Sequence, residues 1–260
     1  MKTVFWSVSS VVLLVALLLV VLVLAPLRYW PPFVNTLLSN QSIRVATLQG
    51  QLWNGQADFT VKGLTGNMTF SWELVGLLAP IPFALQHEQL NGVGTLSLNY
   101  QDMMLHLNKL RFNSLIANDA LLPYSVQINN SQVIAENVFV HWFYDSKLPR
   151  KTQGKGYWSG GMVRYPVGRH QRMVVMKGMQ FELTTVNQEP HFQLVSEQIA
   201  PEQAASEQGT DLPTLYLHAR VKQDGEAEAT IMPALLNALG QFWSGDSNVP
   251  AFVMTQQIFE

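Results

Sequence analysis

Cysteine is missing from all 260 residues. Disulfides, thiolate zinc sites, iron–sulfur clusters and thiol nucleophiles go with it. Such a chain suits an oxidising compartment, where a stray thiol is a hazard. Charge is scarce too: Asp, Glu, Lys and Arg make up 13% of the chain, and the formal net charge is −2. That balance lacks the basic stripe of a nucleic-acid binder, so no nucleic-acid partner is expected.

Recognisable catalytic patterns are also lacking. No G-x-S-x-G, P-loop or dinucleotide fingerprint occurs. The six histidines, His87, His106, His141, His170, His191 and His218, never stand three to five residues apart. No compact metal pair exists in the sequence, and His106 and His218, on the polar parity of their strands, read as surface residues. Gly154-Lys-Gly156 and Gly160-Gly161 border alternating segments, as hairpin or bulge glycines do. Asp224, Glu226 and Glu228 read as a solvated strand face. The expectation is a protein that is not an enzyme, with no metal, cofactor or small-molecule substrate.

What the chain does have is one long apolar run, Val4 to Leu27, in which only Ser7, Ser9 and Ser10 are polar. Val11, Leu14, Leu18 and Leu22 mark its uncharged centre. A bilayer core is spanned by about 20 apolar residues in a helix, and each Leu or Val contributes roughly −0.3 to −0.6 kcal/mol to insertion. The run exceeds a signal-peptide core of about 7–15 residues, and its weak cleavage candidate, Val23-Leu24-Ala25, precedes Pro26. An uncleaved membrane anchor is predicted. Lys2 and the amino terminus outweigh Arg28 by one charge, which places the N-terminus in the cytoplasm. Residues 1–30 then form a cytoplasmic tip and anchor, and residues 31–260 a periplasmic domain.

The remainder turns to period two. Ile43/Val45, Phe59/Val61, Met68/Phe70/Trp72/Leu74 and Leu96/Leu98/Tyr100 each alternate with polar residues, the mark of strands buried on one face. Leu105/Leu107 followed by Leu110/Phe112 changes parity, which predicts a β-bulge. Tyr124/Val126/Ile128, Val138/Val140/Trp142/Tyr144, Met179/Phe181/Leu183 and Leu215/Leu217/Ala219/Val221 continue the pattern. Turns are expected at Leu64-Thr-Gly66, Asn91-Gly92, Asn129-Asn130 and Asp224-Gly225. The fold class is mainly β: a curved antiparallel sheet behind a single transmembrane helix.

Two segments break this rhythm. Glu197 to Pro213 is polar and reads as an exposed loop, and Met232 to Trp243 reads as a short C-terminal helix with Pro233 in its first turn. Trp53-Asn54-Gly55 and Trp158-Ser159-Gly160 lie 105 residues apart, with Gly63 and Gly168 at the same offset. That echo raises the expectation of two similar halves, residues 40–130 and 131–260. The one charge asymmetry is basic: Lys147, Arg150, Lys151, Lys155, Arg164, Arg169 and Arg172. Such residues keep hairpin ends soluble, or face anionic headgroups or an acidic partner.

Two blocks carry a family likeness: Leu48-Gln-Gly50-Gln-Leu52-Trp53-Asn54-Gly55-Gln-Ala57, and Phe70-Ser-Trp72-Glu-Leu74-Val-Gly-Leu77-Leu78. A Gly-x-Leu-Trp-x-Gly turn soon after one anchor, then a Trp- and Leu-rich block, resembles protein N of the bacterial type II secretion system. The resemblance makes Gly50, Leu52, Trp53, Gly55, Trp72, Leu77 and Leu78 the structural motif residues. It implies an accessory inner-membrane part of an exporter of folded periplasmic proteins, in contact with other components such as the system's protein C. A competing expectation is a membrane-anchored, AsmA-like groove that holds an acyl chain, for which ten methionines and the strand aromatics are suited.

Overall fold

The computed structural model describes residues 26–38, 43–61, 66–76, 79–197 and 213–258. Val11, Leu14, Leu18 and Leu22 of the predicted anchor, the turn residues Leu64 and Thr65, the motif residues Leu77 and Leu78, and most of the predicted loop after Glu197 lie outside them. No described helix is long and apolar enough to cross a membrane. The chain divides into two compact units, Met1–His87 and Glu88–Glu260.

In the first unit a 3₁₀ turn, Leu27–Tyr29, leads into helix α1, Pro31–Leu37. Four antiparallel strands follow in sequence order: β1 Ile43–Gly50, β2 Asn54–Val61, β3 Met68–Glu73 and β4 Ile81–His87. The β1–β2 register slips between Val45 and Thr47. That bulge resets the two-residue period, which is why both Val45 and Leu48 turn inward. They form a core with Leu27, against which Trp30, Val34, Leu38, Ala57, Phe59 and Trp72 pack. Leu27, the last residue of the apolar run, is thus part of this body and is only 5% exposed.

The second unit holds β5 Leu90–Leu98, β6 Asp102–Asn113, helix α2 Ser114–Leu121, β7 Gln127–Asn129, β8 Gln132–Phe143 and β9 Lys151–Trp158. It continues with β10 Gly161–Val167, β11 His170–Met176, β12 Met179–Val186, β13 Glu189–Ser196, β14 Leu215–Val221 and β15 Glu226–Ile231. Helix α3, Pro233–Ala238, and β16, Phe252–Gln257, close it. The main antiparallel sheet runs β5-β6-β8-β9-β12-β13-β14-β15-β16, and β11-β10-β7 forms a small second sheet. The mainly β, antiparallel character and the short C-terminal helix agree with the sequence. So does the bulge: Leu107 faces Gly94 and Lys109 faces Val93, leaving Asn108 as the extra residue.

Three expectations need correction, and one helix was not foreseen. Asn91-Gly92 is not a turn; it lies inside β5, with Gly92 opposite Leu110, and the turn is Glu88–Gln89. Tyr124 is not in a strand, because Pro123 bends Leu122–Tyr124 into a 3₁₀ turn before β7. Helix α2, unannounced by any apolar stripe, starts where the Asn113 side chain accepts the Leu115 N–H. Helix α3 is half the expected length. Gly240 (φ +70°) donates to Asn237 and Gln241 to Leu236, a Schellman stop that leaves Phe242 92% exposed. Leu235 and Leu239 still pack on Val163, Tyr165, Met176 and Met179, the second unit's buried cluster.

Candidate functional site

The motif residues form one local assembly in the first unit. Gly50 ends β1 at φ +86°, and the Gln51 N–H donates to the Asn54 carbonyl at 2.8 Å. A Cβ at Gly50 would strike that carbonyl, so the tight turn needs glycine. Leu52 sits in the turn, 38% exposed, and its carbonyl accepts the Trp72 indole N–H at 2.9 Å. Trp72 stacks on Phe70 with ring centroids 5.8 Å apart, and Phe70 meets Phe83 at 5.5 Å. Gly55, opposite Trp72 in the β2–β3 register, has ordinary backbone angles; its role is close approach, because a Cβ there would collide with the indole.

Trp53 is only half-buried and is not the ring at the centre of this turn; its carbonyl accepts the Leu74 N–H. A groove of about 710 Å³ runs over the assembly, lined by Gln49, Asn54, Gln56, Ser71, Glu73 and Phe83 among others. Among the described residues, Glu73 is the single ionisable group lining it. An isolated carboxylate with amides and a hydroxyl around it can hold hydrogen bonds but has no acid–base partner. The Trp158 echo has a different setting: Trp158 ends β9, whereas Trp53 precedes β2.

Sheet pairing brings together histidines the sequence kept apart. His191 Nδ1 on β13 lies 2.9 Å from His218 Nε2 on β14. Burial first, then the charges of His191 and Arg220, hold His218 below its ordinary value of 6.5. His141 Nε2 lies 3.2 Å from Asp102 Oδ2. Asp102 is held below the usual carboxylate range by hydrogen bonds from Asn99 and His141. His87 is buried at the end of β4, against the expectation of surface histidines. Glu226 and Glu228 do not simply face water: Lys222 lies 3.2 Å from Glu228, Arg220 3.0 Å from it, and Lys222 also pairs with Glu226. No cluster of three metal-ligating side chains occurs among the described residues.

Strand edges are treated unequally. Asn35 on α1 covers the β1 edge, and Asn118 on α2 covers β7, each through two side-chain hydrogen bonds to one backbone residue. The outer edge of β16 from Phe252 to Thr255 meets no strand among the described residues. All six β16 residues are exposed, with Phe252, Val253 and Met254 at 53%, 58% and 53%. No charge occurs from Val249 to Ile258. A bare, uncharged, apolar edge is a template for another strand.

No family model, curated protein or solved structure matches the chain.

Proposed function

We propose that this chain is a membrane-tethered, extracytoplasmic binding component of the type II secretion apparatus, similar to its protein N. It acts through contact with other components, protein C among them, and not through turnover. The observation that supports contact is the open edge of β16, in a protein that covers two other edges with asparagine side chains. Each backbone hydrogen bond gained by an added strand is worth about 0.5–1.5 kcal/mol net. The tether raises the local concentration of the domain, so a few such bonds suffice. Placing lysines at exposed Val253 and Met254 should leave thermal unfolding unchanged and abolish both co-purification of secretion components and full secretion. Normal co-purification and secretion by that variant would overturn the reading.

A second reading, an acyl-chain groove, is favoured by one specific alignment. Leu107 pairs with Val138 and, past the register shift between β8 and β9, Gly154 pairs with Leu183, Leu183 with Phe192, Phe192 with Ala219, Ala219 with Ala229, and Ala229 with Met254. These put one apolar row across the main sheet of the second unit, and most of its side chains are half-buried or exposed. Lipid extracted with the purified chain, in amounts that fall when Phe192 becomes Asp, would support this reading over the first.

A further inference from the structure

Half of the 16 Lys and Arg residues fall within residues 146–181, a stretch with no Asp or Glu. Its exposed centre is the β10–β11 hairpin. In the hairpin register Val163 faces Val174 and Tyr165 faces Arg172, and this parity carries Val163, Tyr165 and Met176 into the core. The opposite parity pairs Arg164 with Met173 and Met162 with Val175. Met173 is 54% exposed and Val175 75%. Arg164 on that parity, Arg169 in the turn and Lys177 just beyond the hairpin are exposed with them, and Arg172 is exposed on the other parity. None of these four makes an ion pair among the described residues, whereas Arg150 and Lys155 do, with Asp145 and Glu182. Arg172 donates to the Gly240 carbonyl at 3.0 Å, a neutral partner that fixes its guanidinium without neutralising it.

Exposed cations with no ion pair among the described residues, beside large exposed apolar side chains, fit one kind of surface. A bilayer presents phosphates to the cations and, a few ångströms deeper, acyl chains to Met173 and Val175. An acidic protein surface satisfies the first requirement and not the second. We propose that the outer face of the β10–β11 hairpin docks on the surface of an anionic phospholipid bilayer, giving this domain a second membrane contact besides its predicted anchor. The proposal goes beyond the secretion reading and is compatible with either function above.

Because the chain has no cysteine, Val175→Cys gives a unique labelling site for a polarity-sensitive fluorophore. The full chain is placed in nanodiscs of phosphatidylcholine alone or mixed with phosphatidylglycerol, with Tyr100→Cys (Tyr100 is 95% exposed) as the control label. Emission from position 175 should shift to the blue, and be quenched by brominated lipid, only with phosphatidylglycerol; position 100 should not respond. Arg164→Gln and Arg169→Gln should each lower the ratio of docked to free hairpin about fivefold, and raised salt should act the same way. Circular dichroism verifies that the variants remain folded. An identical signal in both lipids, or no lipid response at position 175, overturns the proposal. A response to polyglutamate in place of lipid also overturns it and identifies an acidic protein as the partner.

Discussion

Asn35 holds Val45 by both of its backbone groups. The amide nitrogen donates to the Val45 carbonyl and the amide oxygen accepts the Val45 N–H, each at 2.8 Å. A side chain thereby completes a strand edge as a neighbouring strand does, at the residue beside the β1 bulge. The device recurs in the second unit, where Asn118 holds Ile128 at 2.9 and 2.7 Å, again ten residues away in the chain. Two partly buried hydrogen bonds contribute about 1–3 kcal/mol together. Asn35→Ala and Asn118→Ala should each lower stability by that amount in denaturant titration. An Asn35→Asp variant, which keeps the acceptor but sets a carboxylate oxygen against the Val45 carbonyl, should lose at least as much as Ala. No change in midpoint for either Ala variant would show the pairing to be dispensable.

These clamps mark the limit of what periodicity can read. Alternation identified β3 and β12 because their apolar residues repeat in twos, and the parity change at Leu107/Leu110 located a bulge for the same reason; it also found β14 but not the slip between Leu215 and Leu217 in that strand's pairing with β13. Neither asparagine stands out in the sequence, since each acts on a residue placed by a helix–strand connection. The His191–His218 contact was hidden likewise: 27 residues separate the rings, and only the β13–β14 pairing joins them. The motif glycines were legible as special residues, but the reason for Gly55 was not. It is Trp72 across the strand pair, a relation no local pattern records.

That relation yields a second prediction. Gly55→Ala forces a methyl against the Trp72 indole and to within 2.9 Å of Leu27 Cδ1, so it should cost about 1–3 kcal/mol, as overpacking does. Combining it with Trp72→Leu should recover part of the loss, because the smaller side chain leaves room for the methyl. Trp53→Ala should cost less than Trp72→Ala, since Trp53 is not part of the packed cluster. Thermal unfolding of the four variants decides it; a larger loss at Trp53 would reverse the assignment of roles.

The histidine pair predicts a pH dependence. With Nδ1 and Nε2 at 2.9 Å, one ring donates and the other accepts. Burial first, and then the charges of His191 and of Arg220, the cross-strand partner of His191, disfavour an added proton on His218. Glu228 opposes this, but it is already engaged by Arg220 and Lys222. His218 therefore titrates below 6.5 in the folded chain, and the unfolded chain takes up the proton first. Stability from this group is complete above pH 6.5 and declines as the pH falls below it. The melting temperature should drop on acidification from pH 7.5 to 5.5, and less steeply in His218→Gln. An unchanged slope in that variant would remove the pair as the cause.

Leu27 is shared between the predicted anchor and the folded body. The apolar run reads as continuous from Val4 to Leu27, yet Leu27 is 5% exposed within the core of the first unit, against Val45 and Leu48. Trp30 packs on the same cluster, and α1 follows without a break, its first residue being Pro31. Leu27 and Trp30, both within the predicted residues 1–30 anchor, therefore belong to the folded body. A secreted form beginning at Pro26 retains Leu27 and Trp30, and one beginning at Pro31 loses both. Removing a buried leucine side chain costs about 2–5 kcal/mol, and part of the Trp30 contact adds to it. The shorter form should unfold at distinctly lower denaturant concentration, and Leu27→Ala in the longer form should reproduce much of the difference. Equal midpoints for the two forms would show that Leu27 belongs functionally to the preceding apolar run and not to the body.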